Sequence, residues 1–180
     1  MPVSPAEFSA ALRQYAAGVA LMTVRDDIDD VGTTVTSVMS VSADPPLVAV
    51  GLTADGYPAE VLEAVGTCGL TVLAAGQAIL ASRFSSAGRP SARHLLESVP
   101  WSRAPGSGAI VLDGGVVALD CRLDRLVPAG DHVLALLAVE AVPVLHDGAA
   151  PLLRLRGRYA DAPEARSATK AVPRSGGPGG

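Results

Sequence analysis

Apolar and polar positions change period several times along the chain, and each change marks an element. Ser4-Pro5-Ala6-Glu7 is a capping-box pattern with proline at the first helical position. Phe8, Ala11, Leu12 and Tyr15 follow at helical spacing and Gly18 is a stop signal, which predicts a short amphipathic helix opening the domain. Residues 19–24 read as an apolar strand, and Asp26-Asp27-Ile28-Asp29-Asp30 as a polar turn leading to Gly32. Residues 31–42 then read as one strand that carries hydroxyls where a buried strand carries hydrocarbon. Thr34, Thr36, Ser40 and Ser42 recur at period two, interrupted by Val38. Val35, Met39 and Val41 fall on the opposite face, broken by Ser37. Successive strand side chains alternate between faces, so one face is expected in the core and the other is a row of small hydrogen-bonding groups. Asp44-Pro45-Pro46 ends the run, because proline cannot donate a ladder hydrogen bond.

The pattern continues with a strand at 47–52, a helix at 58–65 stopped by Gly66, a strand at 70–73 and a short helix at 77–84. Residues 85–108 mix Ser, Gly, Pro and charges and read as a long excursion with at most one helical turn around 94–97. A loop of that length in a compact domain is often functional. Residues 115–126 alternate cleanly, 132–145 form a long strand, and 152–159 alternate Leu153 and Leu155 against Arg154, Arg156 and Arg158 as a last strand. From 162 to 180 the composition predicts a disordered tail behind a domain at 1–161. Six or more strands, short helices and no strand–helix–strand rhythm predict a mainly β fold. The sheet is expected to be antiparallel and to close into a small barrel with peripheral helices.

Composition narrows the function classes. The 180 residues suffice for a core without disulfides or metals. A net charge of −4 without a basic block argues against a nucleic-acid surface. No window reaches the roughly 18–20 uninterrupted apolar residues of a membrane helix. The start lacks a basic region followed by an apolar stretch, so a cytoplasmic protein is expected. Cys68 and Cys121 are then expected to be reduced core thiols, with a disulfide or redox pair as the alternative.

Candidate chemistry is sparse. His132 follows Gly130-Asp131 at the mouth of a strand, where an imidazole can donate a proton or hydrogen-bond a carboxamide. The alternative is a solvated turn histidine, with Asp131 capping the turn and Gly130 supplying its backbone angle. His94 and His146 read as surface residues, and the histidines and cysteines have no metal-ligand spacing. The hydroxyl row suits a flat ligand rich in carbonyls and phosphate oxygens, although Ser and Thr also populate solvent faces. No Gly-x-Ser-x-Gly elbow and no Gly-x-Gly-x-x-Gly turn occur. The three arginines of the last strand could attract phosphate or simply guard an edge.

Taken in order, several segments resemble one family. They are Tyr15-Ala16-Ala17-Gly18-Val19-Ala20-Leu21-Met22-Thr23, Gly32-Thr33-Thr34-Val35-Thr36-Ser37, Ser40-Val41-Ser42 and Asp44-Pro45-Pro46-Leu47. Leu70-Thr71-Val72-Leu73, Arg83-Phe84-Ser85, Leu112-Asp113-Gly114 with Cys121, and Gly130-Asp131-His132 follow. Over residues 8–160 the chain resembles the flavin reductases, small FMN-binding split-barrel components of two-component monooxygenases. It is most similar to those serving aromatic polyketide oxygenases. The resemblance implies a dimeric Greek-key split barrel with FMN, or FAD, near the subunit interface and NADH or NADPH as hydride donor. It further implies a partner oxygenase that receives reduced flavin. Thr34, Val35, Thr36 and Ser37 would meet the flavin, with Ser42, Leu52 and Thr53 flanking the ring or ribityl chain. Arg83, Phe84 and Ser85 would lie by the phosphate, and His132 by the nicotinamide. Asp131 and Tyr159 complete the implied set.

Two departures stand out. Thr71 occupies a position where the family often has Asn, and Gly56-Tyr57-Pro58 replaces a Ser/Thr pair expected to anchor phosphate. Two other readings remain: an enzyme that keeps its flavin and acts directly on an organic substrate, and a non-catalytic dimeric flavin-binding module.

Overall fold

The computed structural model describes residues 3–27, 29–86 and 88–163. The chain runs through α1 (Pro5–Leu12), β1 (Ala17–Gly18), β2 (Ala20–Arg25), β3 (Asp30–Val35), β4 (Val38–Ala43), β5 (Pro46–Thr53) and α2 (Tyr57–Val65). It continues through β6 (Thr67–Val72), α3 (Ala78–Ser85), α4 (Ala92–Leu95), β7 (Trp101–Arg103), β8 (Ile110–Leu112), β9 (Val117–Ala129), β10 (His132–Leu145), β11 (Leu152–Leu155) and β12 (Arg158–Asp161). The capping box at α1 forms as the sequence predicts. Ser4 Oγ accepts the Glu7 N–H, and the Glu7 carboxylate accepts the Ser4 N–H at 3.0 Å. Gly66 ends α2 in the left-handed region at φ 76°, where a Cβ would be strained.

Seven antiparallel strands form the main sheet in the order β3-β2-β6-β9-β10-β5-β4. A small sheet β1-β11-β12 and a hairpin β7-β8 flank it. The fold is therefore mainly β, and no ladder between the β3 and β4 edges occurs among the described residues. The backbone itself spans the two edges through Thr36 and Ser37. β2 is buried on both faces. Ala20, Met22 and Val24 enter a core shared with α2 residue Leu62 and with Leu70, Val50 and Leu137. Val19 and Leu21 enter a second core with Leu80, Phe84, Leu96, Ile110 and Leu152. This double burial explains why residues 19–24 are apolar at every position but Thr23, whose buried hydroxyl donates to Ile110 O.

Four expectations need correction. The hydroxyl-rich strand expected over 31–42 is two strands, β3 and β4, at opposite edges of the sheet. The exchange of residue types at Ser37 and Val38, which breaks the alternation, marks the point of separation. Val35 keeps its core position, but Met39 and Val41 are 59% and 45% exposed. The 85–108 excursion holds both α4 and the β7-β8 hairpin, and it buries Ala92, Leu96 and Ala104. Strand β7 is three residues long between Pro100 and Pro105, too short to show a period. The last strand, 152–159, is a hairpin whose turn Arg156-Gly157 has φ 52° and 74°. A turn with two positive φ values matches the strand twist and reverses the chain, so the three arginines form no stripe. Asp30, assigned to a polar turn, lies in β3 and is buried. The tail expected at 162–180 falls outside the described residues from 164 onward.

Candidate functional site

Two clefts lie against the two halves of the former hydroxyl row. The first, about 630 Å³, is lined by Thr33 and Thr34 of β3, Leu52 and Thr53 of β5, Gly56-Tyr57-Pro58 at the start of α2, and Ser85, Arg89 and Ser91 of the α3–α4 segment. The second, about 670 Å³, is lined by Phe8, Leu12 and Tyr15 from the α1 region, Thr36, Ser37 and Met39, Gly51, Leu134, Arg154 and Arg156.

The first cleft is built by the packing of α3 on β3. A Cβ at Gly32 would come within 2.5 Å of Phe84 Cε1, so the glycine of Gly32-Thr33-Thr34 lets the Phe84 ring lie directly on the strand. Thr34 Oγ1 donates to Ala81 O at 2.7 Å and ties the helix down. Beside it, Arg89 Nε donates to Gly32 O at 2.5 Å and Arg89 Nη1 to Ser86 O at 3.0 Å. Burial lowers the Arg89 pKa, yet a guanidinium stays charged at neutral pH. Beneath the entrance of β3, the Asp30 carboxylate accepts both Nη1 and Nη2 of Arg103, and Arg93 Nε lies 2.9 Å from Oδ2. The Asp30 carboxylate raises the Arg103 pKa, and the same guanidinium stacks 5.1 Å from the Trp101 ring centroid. This network joins β3, α4 and β7, so the cleft wall is anchored from three elements.

His132 opens β10 directly opposite Thr53, a residue of the first cleft. Gly130 at φ 71° makes the tight turn, and Ala54 N donates to Asp131 O at 3.0 Å. His132 Nδ1 is 2.8 Å from Asp131 Oδ1, a contact that holds the Asp131 carboxyl below the usual carboxylate range. The imidazole is half-exposed, so it can meet a ligand at the rim.

The candidates therefore divide. Thr34, Leu52, Thr53 and Ser85 meet in the first cleft, with Asp131 and His132 paired to its rim strand. Thr36 and Ser37 line the second cleft. Val35 is in the core, and Ser42 sits at a bulge opposite Leu47 on the β4 edge. Phe84 is buried against Gly32, while Arg83 is exposed on α3 and lines neither cleft. Tyr159 lies under Arg154, 4.6 Å from its guanidinium carbon, in the β11-β12 hairpin. Thr71 is buried and accepts the Leu112 N–H at 3.2 Å, a role in joining β6 to β8. Sequence reasoning missed Thr33, Arg89, Ser91 and the Asp30 network. Arg89 stands between Gly88 and Pro90 and reads there only as loop; an ionic network drawn from three separated segments leaves no local signal. Cys68 and Cys121 are buried free thiols at directly paired positions of β6 and β9. The neighbouring Cys121 and burial push the Cys68 thiol well above its ordinary pKa.

Comparison with known proteins identifies the family. The flavin reductase like domain matches residues 12–163. The chain belongs to the flavin reductase family. An NADH-dependent FMN reductase from Streptomyces nodosus subsp. asukaensis is 35% identical over 153 residues, 85% of this chain and 82% of that protein. The reductase component of 4-hydroxyphenylacetate 3-monooxygenase from Thermus thermophilus is 34% identical over 152 residues, 84% of this chain and 93% of that protein. Among solved structures, the flavin reductase component of a bacterial two-component tryptophan halogenase superposes with a TM-score of 0.83 at 28% identity, covering 90% of this chain and all of that one.

Proposed function

We propose that this flavin reductase family member is an NAD(P)H:flavin oxidoreductase that supplies reduced flavin to a separate flavin-dependent oxygenase. The observation that carries the reading is the first cleft. The family's Gly32-Thr33-Thr34 segment forms one wall, a guanidinium and several hydroxyls share the lining, and His132 is paired to its rim strand. The volume falls in the range of about 300–1,000 Å³ that small-molecule and cofactor sites occupy. Hydroxyls and a cation suit the ribityl chain and phosphate of FMN or FAD. When both cofactors are bound, hydride passes from nicotinamide C4 to flavin N5, chemistry that the cofactors themselves supply. The chain then has to hold two ring systems in register and exclude water. That task requires no cluster of acids, bases or metal ligands. His132, oriented by Asp131, contributes a polar contact to the nicotinamide carboxamide.

The working form in this reading is a homodimer. Phe8, Tyr15 and Met39 are 57%, 70% and 59% exposed around the second cleft, an apolar surface suited to a second copy. Barrel closure between β3 and β4 belongs to the same reading. Its support is that Thr36 and Ser37 alone separate the two edge strands along the chain.

The test is oxidation of NADH and NADPH at 340 nm with FMN, FAD or riboflavin added. Saturable turnover that depends on added flavin is expected. Flavin that copurifies through gel filtration with poor turnover of free flavin would move the assignment to an enzyme that keeps its flavin, and absence of turnover and of flavin binding to a non-catalytic module.

A further inference from the structure

We infer that Arg89 is the phosphate anchor of the first cleft, and that it makes this chain select phosphorylated flavins over riboflavin. The inference rests on the reading of that cleft as the flavin site. Several observations support it. Arg89 is the one cationic side chain among the lining residues, which also include Thr33, Thr34 and Ser85; the hydroxyls of Thr34 and Ser85 already donate to Ala81 O and Ser82 O, which leaves the guanidinium as the main donor for an anion. Asp29 and Asp30 also line the cleft, but both carboxylates are already engaged. Asp30 is bound by Arg93 and Arg103, and Asp29 Oδ1 accepts the Asp30 N–H at 2.7 Å. Arg83, which the family resemblance puts by the phosphate, is exposed outside the lining. Gly56-Tyr57-Pro58, on the facing wall, brings no cation and no Ser or Thr hydroxyl to the lining.

The guanidinium is also oriented. Nε is fixed on Gly32 O and Nη1 on Ser86 O, and Nη2 has no hydrogen-bond partner among the described residues. Two backbone carbonyls on different segments hold the planar group with one edge uncommitted. A lysine ammonium in the same place would be a mobile point charge, whereas a tethered guanidinium offers directed donors to a phosphate oxygen. Half-burial reduces the screening of that interaction by solvent. Gly32 opens the segment whose hydroxyls meet the same cleft, so the anchor moves with the strand that contacts the rest of the ligand.

Fluorescence titrations of FMN and riboflavin against the wild-type protein, Arg89→Met, Arg89→Lys and Arg83→Met test this by dissociation constant rather than by turnover. One charge-assisted contact predicts that wild type binds FMN about 10- to 100-fold more tightly than riboflavin. Arg89→Met should bring the two within about threefold while riboflavin affinity holds, and Arg89→Lys should retain part of the preference. The Arg89 tether also fastens Gly32 O, so a melting curve accompanies each variant. If Arg89→Met does not fold, Arg89→Lys and the salt dependence of the wild type decide: added salt should weaken FMN and spare riboflavin. Equal wild-type affinity for the two flavins, or a preference that survives Arg89→Met and collapses in Arg83→Met, would overturn the inference and leave the flavin site standing. Binding of neither flavin by the wild type would overturn both.

Discussion

The two clefts sit on the two halves of one sequence segment, yet they differ in how complete they are. The cleft against β3 is finished within one chain. Its floor is an ionic network, its wall carries α3 pinned by Thr34, and its lining cation, Arg89, is held by two carbonyls. The cleft by β4 is open and mostly apolar, with Arg13, Arg154 and Arg156 along its lining. Helix α1 contributes no buried residue, and Met39, Val41 and Leu134 face outward. A buried polar site must be satisfied internally, because each unpaired group costs free energy as soon as it leaves water. An apolar face has no such requirement and can wait for a second copy. In the proposed reading, ligand chemistry belongs to the first cleft and assembly to the second.

The sharpest way to break that contrast is at Asp30. Its carboxylate is 2% exposed and serves two arginines from two other elements. Asp30→Leu removes the charge and leaves Arg103 two-thirds buried without its partner. Loss of one partner from a buried pair costs about 3–5 kcal/mol, and the solvent access of both arginines puts the expected loss near the lower end, about 3 kcal/mol. For a domain of this size the melting midpoint should drop by roughly 6–12 °C. A variant that melts like wild type would mean that the first cleft is not held together by this network, and its claim to be preassembled would fall.

The apolar side is tested by Met39→Asp. If a second copy covers the face, a charge at its centre should weaken the dimer by about 30-fold or more, as truncation at an interface hot spot does. Sedimentation of wild type and variant reads this directly. The variant should keep its monomer fold, because Met39 is mostly exposed. A wild type that is monomeric at all concentrations would leave the open face unexplained by assembly, and Thr36 and Ser37 would then be plain surface residues.

The same contrast shows what the sequence made legible. Local signals were reliable where the determinants are adjacent: the capping box at Ser4, the Gly66 stop, the Gly130 turn, the alternation of β9 and the long apolar run of β10. The hydroxyls of 31–42 pointed to a ligand, and Thr33 and Thr34 do line the first cleft. What the pattern concealed was that the strand breaks at Ser37 and sends its halves to opposite sheet edges. The exchange of Ser37 and Val38 carried that information, but one irregularity does not distinguish a bulge from a break. Arg89 and Asp30 were illegible for a different reason. Their meaning comes from partners 57 and 73 residues away, and no local composition encodes such pairing.

His132→Ala should have the smallest effect on the fold and a selective effect on function. The side chain is half-exposed and its partner Asp131 almost fully so. Exposed pairs contribute little to stability, so the melting midpoint should barely move. Thr53 is the cross-strand neighbour of His132 and belongs to the first cleft, so a ligand seated there comes within reach of the imidazole at the rim. Loss of one polar contact to the nicotinamide should raise KM for NADH or NADPH, or slow hydride transfer, by roughly 3- to 10-fold, with FMN affinity nearly unchanged. Asp131→Asn should reproduce part of this effect, since the carboxylate orients Nδ1. A His132→Ala protein with wild-type kinetics would make the histidine a turn residue only, and the nicotinamide would have to be sought on the other side, where Thr36 and Ser37 face the open cleft.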